Sequence, residues 1–146
     1  MRKLLMLVIV LVALSFAQSA VAQEQIGPFG SPISSVVLVS FPSSSTEFRP
    51  NEHQADYLKD AKNAALVVVR GRTSTNTPSA KDEALALARA LSARTYLIAR
   101  GVSPLKIQVN FASAADFIAD NSTQEGRLQN QRVEIELVYV MNLSMN

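Results

Sequence analysis

The stretch from Ser79 to Phe111 limits the possible folds more than any other part of this chain. Residues 79–100 carry the longest helix signal. Ser79 with Asp82 resembles a helix-start box, although Glu or Gln is the usual partner. Ala84, Leu87, Ala88, Leu91 and Ile98 form the expected apolar stripe, interrupted at Arg94 and Thr95. Gly101 stands where a C-terminal glycine cap belongs. Residues 105–111 then alternate, with Leu105, Ile107, Val109 and Phe111 on one side and Lys106, Gln108 and Asn110 on the other. A period of two marks a strand with one buried face. A long helix followed by a half-buried strand predicts helices layered on one face of a sheet.

The remaining pattern extends that layer. Residues 36–41 (VVLVSF) and 65–70 (ALVVVR) are short β-branched runs of the kind that form buried strands. Between them, residues 51–64 read as a helix with Ala55, Leu58, Ala61 and Ala65 on one stripe. Residues 71–78 are a polar loop. Residues 112–131 are a polar connection with a short helix near 123–130, and residues 132–140 alternate again through Val133, Ile135, Leu137 and Tyr139. The predicted fold class is α/β (α+β), a two-layer sandwich in the order βαβαβ(α)β. Four strands form a mixed sheet with helices on one face, and the first two strands run parallel through a right-handed crossover.

The first 22 residues read differently. Met1-Arg2-Lys3 is basic, residues 4–14 are unbroken apolar sequence, and residues 15–22 turn small and end Ala20-Val21-Ala22. That order is a secretory signal with cleavage expected after Ala22. The apolar run is shorter than the roughly 20 residues a membrane-spanning helix needs. The expected division is a cleaved signal at 1–22, a flexible Gly/Pro/Ser-rich lead-in at 23–35, one domain at 36–140 and a tail at 141–146. No transmembrane segment is expected after cleavage.

Charge and cysteine content then exclude several function classes. The chain has 14 basic and 12 acidic residues. Losing Arg2 and Lys3 with the signal brings the formal charge to zero, which leaves no basic field for nucleic acid or anionic lipid. With no Cys and His53 as the single histidine, no metal site of the usual zinc type and no cofactor is expected. The absence of Cys also leaves no residue for lipid attachment at a new N-terminus. No nucleophile is paired with a base and no phosphate loop follows a strand, so the chain is not read as an enzyme.

Residues 121–135 read NSTQEGRLQNQRVEI. This strongly resembles the closing signature of OmpA-like peptidoglycan-binding domains, N-x-T-x-x-G-R-x-x-N-R-R-V-E-I, as found in OmpA, Pal and MotB. Asn121, Thr123, Gly126, Arg127, Asn130, Arg132, Val133, Glu134 and Ile135 match, and Gln131 departs from the usual arginine. Gly71-Arg72-Thr73-Ser74 sits where the family has G-H-T-D. Asp82, Leu85, Ala86, Arg89, Ala90, Ala93, Tyr96 and Leu97 fall on the long-helix pattern N-x-x-L-S-x-x-R-A-x-x-V-x-x-Y-L, with departures at Asp82, Ala86 and Ala93.

The resemblance implies a site. In the family the loop aspartate and the long-helix arginine hold the diaminopimelate residue of the peptidoglycan stem peptide. A guanidinium grips the carboxylate of that zwitterion through two parallel bonds, a carboxylate takes its ammonium, and helix N-terminal amides add donors. Here Arg89 matches the arginine, while Ser74 replaces the aspartate, Arg72 the histidine and Asp82 the asparagine. The expected ligand contacts are Arg89, Thr73, Ser74 and Asp82. Losing one charged hydrogen bond to Ser74 costs roughly one to two orders of magnitude in affinity. Asp82 either compensates or pairs with Arg89 or Arg72; read without the family, Arg89 is a surface arginine paired with Asp82 or Glu83. Gly71, Asn121, Gly126, Arg127, Asn130, Arg132 and Glu134 are expected to hold the fold. Two functions compete. One is a periplasmic, outer-membrane-associated module that binds the stem peptide. The other is a structural subunit of a secretion or conjugation assembly, with envelope proteins as partners.

Overall fold

The computed structural model describes residues 23–26 and 32–140. The expected signal and the tail lie outside the described residues. Strand β1 (Gln23–Ile26) pairs antiparallel with β2 (Pro32–Ser40). Helix α1 (Glu52–Leu58) runs into a 3₁₀ turn at Lys59–Asn63, and β3 (Leu66–Arg72) follows. Next come the long helix α2 (Ala80–Ala99), β4 (Ile107–Ala112), α3 (Gln124–Asn130) and β5 (Arg132–Val138). The sheet order is β1-β2-β5-β3-β4. Strands β2 and β3 are each antiparallel to β5, so they run parallel to each other with β5 inserted between them; β4 is parallel to β3. The α/β class and mixed sheet are as the sequence predicts, with β1 as an added edge strand.

Strand β2 begins four residues before the expected Val36. Ser34 and Ser35 continue the ladder opposite Val138 and Leu137, because β5 is long enough to template them. β1 also draws part of the expected lead-in into the sheet. The length of the neighbouring strand sets these boundaries, and local composition does not report it.

Val37, Val39, Phe41, Val67, Val69, Val133, Ile135 and Leu137 form the sheet side of the core, buried beneath Leu58, Ala61, Ala90, Ala93, Leu97 and Val102. Alternate residues on the other face carry charge, where Arg70 meets Glu136 at 2.7 Å. The expected stripe on α2 is wrong in phase. The buried face is Ala86, Arg89, Ala90, Ala93 and Leu97, and Leu91 is 44% exposed. Small side chains win this face because α2 lies so close to β3 that an alanine Cβ at Gly71 would sit 2.0 Å from the Ala86 carbonyl oxygen. The helix ends on two backbone bonds, Gly101 N–H to Ile98 O at 3.0 Å and Val102 N–H to Leu97 O at 3.1 Å, with Gly101 at φ +91°. No described helix is long and apolar enough to cross a membrane.

Candidate functional site

Because β2, β3 and β4 run parallel, their C-terminal ends open on one side of the sheet. Three connections gather there: residues 41–51, 73–79 and 113–123. In open α/β sheets this is the end where ligands bind. Helix α2 enters the same region. Its N-cap Ser79 accepts from the Asp82 amide at 3.1 Å, and Ser79 Oγ also donates to the Asp82 carboxylate. Asp82 is therefore engaged at the helix start. Among the described residues no ion pair joins it to Arg89 or Arg72.

Arg89 lies two turns further along α2 and is fully buried. Its place on the surface, paired with Asp82 or Glu83, is not what the fold gives. Nε donates to the Ser45 carbonyl at 2.9 Å, Nη1 to the Arg72 carbonyl at 3.2 Å and Nη2 to the Pro42 carbonyl at 3.3 Å. The guanidinium carbon stands 5.2 Å from the centre of the Phe41 ring, within cation–π range. Burial pushes the Arg89 pKa down to about 10, still well above neutral pH, so the group remains a cation. No carboxylate pairs with it among the described residues. Buried charges are ordinarily paired, because desolvating a lone ion is costly. Here three carbonyl dipoles and an aromatic face do part of that work, and one N–H on each Nη is left over.

The loop beside it is organised from the far side. Arg72 is buried and donates from Nε to Asp116 at 2.8 Å and from Nη1 to the Gly71 carbonyl at 2.9 Å, and its Nη2 forms an ion pair with Asp116 at 2.7 Å. Thr73 is buried, with its hydroxyl 3.0 Å from that of Thr75. Ser74 is half-buried, and its carbonyl accepts from Asn121 Nδ2 at 2.7 Å. Thr73 and Ser74 thus open the β3–α2 connection, directly after the Arg72 carbonyl that Arg89 holds. Asp116, held at φ +54°, and the carbonyls of Pro42 and Ser45 are partners that sequence reasoning missed. Asp116 sits in a polar connection without motif, and a backbone carbonyl has no letter of its own.

The motif at residues 121–135 holds this end of the sheet together. Thr123 caps α3 by accepting from the Gly126 amide at 2.9 Å. A Cβ on Gly126 would lie 1.8 Å from the Asp120 carbonyl oxygen. Arg127 donates to the carbonyls of Asn121 and Ser122 and makes no ion pair among those described. Arg132 is buried, pairs with Glu134 and donates to the carbonyls of Asp116 and Asn130. Asn130 is fully buried and bonds four groups of the 118–121 segment. Arg89→Met is expected to leave the three carbonyls short of a donor and to lower stability by about 2–3 kcal/mol, read as a shift in the urea midpoint. Relief from burying a charge offsets part of the loss.

Comparison with known proteins covers the same ground. The model of the OmpA family matches residues 41–131. A putative outer membrane lipoprotein of a type IV secretion system from Brucella suis biovar 1 is 34% identical over 125 residues, which span 84% of this chain and 72% of that protein. A probable lipoprotein of Escherichia coli K12 is 36% identical over 104 residues, 68% of this chain and 47% of the relative. Among solved structures, the cell wall anchor of the type VI secretion system from Pseudomonas aeruginosa superposes with a TM-score of 0.60 at 26% identity, covering 82% of this chain and 88% of that one. The family match takes in Arg89, the β3–α2 loop and the motif through Gln131, and on that breadth the chain belongs to the OmpA family.

Proposed function

We propose that this chain is a peptidoglycan-associated binding module of a secretion-type envelope assembly, and that it recognises the diaminopimelate zwitterion of the stem peptide. The observation that carries the reading is Arg89, a buried cation with no carboxylate partner among the described residues, at the end of the sheet where ligands bind. A ligand carboxylate would accept charge-assisted bonds from the guanidinium and neutralise its charge in a low-dielectric site. Thr73 and Ser74 stand next in the chain to the Arg72 carbonyl that Arg89 holds, and Ser74 offers the ligand ammonium a hydroxyl in place of a carboxylate. Asp82, held by Ser79, contributes its charge from the helix start. The activity is binding, not catalysis. The chain works in the cell envelope, as its relatives named for the outer membrane and the cell wall do. We place the signal at residues 1–22, so that the exported protein begins at Gln23.

A second reading has its own support. Arg89 already donates to three carbonyls, and Ser74 cannot neutralise an ammonium. Both features suit a scaffold that packs against envelope proteins, the role suggested by the type IV secretion relative. Co-sedimentation with isolated peptidoglycan sacculi decides between them, using protein exported by the cell and checked by intact mass. Wall binding predicts that wild type pellets, and that Ser74→Asp pellets more tightly, by roughly tenfold in affinity. If wild type stays in the supernatant and Ser74→Asp brings nothing down, the scaffold reading replaces it.

A further inference from the structure

The contacts of Arg89 close a small circuit around one turn. Ser45 N–H donates to the Pro42 carbonyl at 3.0 Å, which defines a four-residue turn at 42–45. Its third residue, Ser44, has φ +59°, the left-handed conformation that a type II turn demands at that position and that Gly or Asn supplies most easily. Serine holds it at a cost of roughly 1 kcal/mol relative to glycine. Both ends of the turn are gripped by one group: Arg89 Nη2 donates to Pro42 O and Nε to Ser45 O. Pro42, Ser43 and Ser44 are exposed above, while the guanidinium below is fully buried. The turn therefore covers the cation and also occupies two of the donor directions that a planar anion would use.

We propose that the turn at residues 42–45 is a strap that competes with ligand for Arg89, so that the site is closed until the strap lifts. The inference rests on the wall-binding reading above and adds its regulation. In the closed state the carbonyls of Pro42 and Ser45 stand in for the ligand carboxylate. In the open state an ionised carboxylate takes the same guanidinium with stronger, charge-assisted bonds. Apparent affinity is the intrinsic affinity reduced by the fraction of molecules that are open. Ser44 tunes that fraction without touching the ligand, because its left-handed backbone is the strained element of the closed turn. The Phe48 amide, held by Ser92 Oγ at 3.1 Å, fixes the chain just beyond the turn and so confines the movement to the strap.

Two substitutions move the equilibrium in opposite directions. Ser44→Gly removes the strain and stabilises the closed turn. Ser44→Val raises it, because a β-branched residue is a poor fit to positive φ. With the full exported chain and an isolated diaminopimelate-containing stem peptide as probe, Ser44→Gly is expected to bind roughly threefold more weakly while melting higher. Ser44→Val is expected to bind roughly threefold more tightly while melting lower. A structural role alone would move the melting temperature and leave affinity unchanged. If wild type binds and both variants bind equally well, the strap is not a gate, although the wall-binding function stands. If wild type is silent but Ser44→Val binds, the strap is confirmed as closed. Silence from wild type and Ser44→Val alike overturns the strap and the wall-binding reading together.

Discussion

Gly71→Ala is expected to lower stability by about 3 kcal/mol or more, although it adds a single methyl group. The new Cβ would be 2.0 Å from the Ala86 carbonyl oxygen and 2.9 Å from its carbon, both backbone atoms of α2, and 3.2 Å from the Ala90 side chain. No rotamer relieves a clash with backbone. Helix α2 would have to lift from β3 by about 1 Å, opening the packing of Ala86, Ala90 and Ala93 against the sheet. Overpacking of this kind usually costs 1–3 kcal/mol, and a rigid neighbour places it at the upper end. Natural domains are stable by only about 5–15 kcal/mol, so the variant should unfold at markedly lower urea. Gly101→Ala is the control. Its Cβ meets nothing within 4 Å, and its cost is confined to φ +91°, roughly 1–2 kcal/mol. Equal losses at both positions would mean that α2 is not seated as closely as described. The functional site would feel the difference as well, since a raised α2 carries Arg89 away from the carbonyls of Pro42, Ser45 and Arg72.

How far the sequence spoke for this arrangement depends on the kind of signal. The strands β3, β4 and β5 were legible because their β-branched runs and period-two alternation are side-chain properties. The ends of α2 were legible because Ser79 and Gly101 are cap residues with a mechanism. The motif at 121–135 pointed to the fold through residues whose roles are local: Thr123 caps, Gly126 admits the Asp120 carbonyl, and Arg132 reaches Glu134. The buried face of α2 departs from the sequence pattern because the larger apolar residues Leu87 and Leu91 mark one stripe, whereas close approach to Gly71 selects alanines on another. At the site, the residue types were readable and the state of Arg89 was not. Whether an arginine is a free clamp or a buried strut depends on which carbonyls the turn at 42–45 and the end of β3 present to it, and backbone atoms carry no sequence identity. The Arg72–Asp116 pair, 44 positions apart, depends likewise on how the 113–123 connection folds back over the strand ends.

The second large effect is expected at Asn130, where Asn130→Ala should cost about 3–4 kcal/mol. Its Oδ1 accepts from the amides of Ile118 (2.8 Å) and Ala119 (3.1 Å), and its Nδ2 donates to the Ala119 carbonyl and to Asn121 Oδ1, both at 3.0 Å. Because backbone N–H groups can only donate, the orientation of the amide is fixed. One fully buried side chain therefore satisfies both polarities of the 118–121 segment, and truncation leaves donors and acceptors unmatched together. The damage reaches the site through Asn121, whose Nδ2 holds the Ser74 carbonyl at 2.7 Å and Asn76 Oδ1 at 2.6 Å. The β3–α2 loop should accordingly lose hydrogen-exchange protection along with the 118–121 segment. Asn130→Asp separates the two halves of the network. It keeps an acceptor for the two amides but turns its second oxygen toward two acceptors, Ala119 O and Asn121 Oδ1. Burial and that repulsion disfavour the charged form, so the introduced carboxyl has a folded-state pKa above its unfolded value. Its stabilising contribution is then present at low pH and is lost as pH rises through the folded pKa. Measured against wild type, Asn130→Asp should be least stable at neutral pH and should recover part of the loss as pH falls toward about 4. A deficit that stays constant over that range would mean that the carboxyl has escaped to solvent and that the 118–121 segment is not held by this side chain.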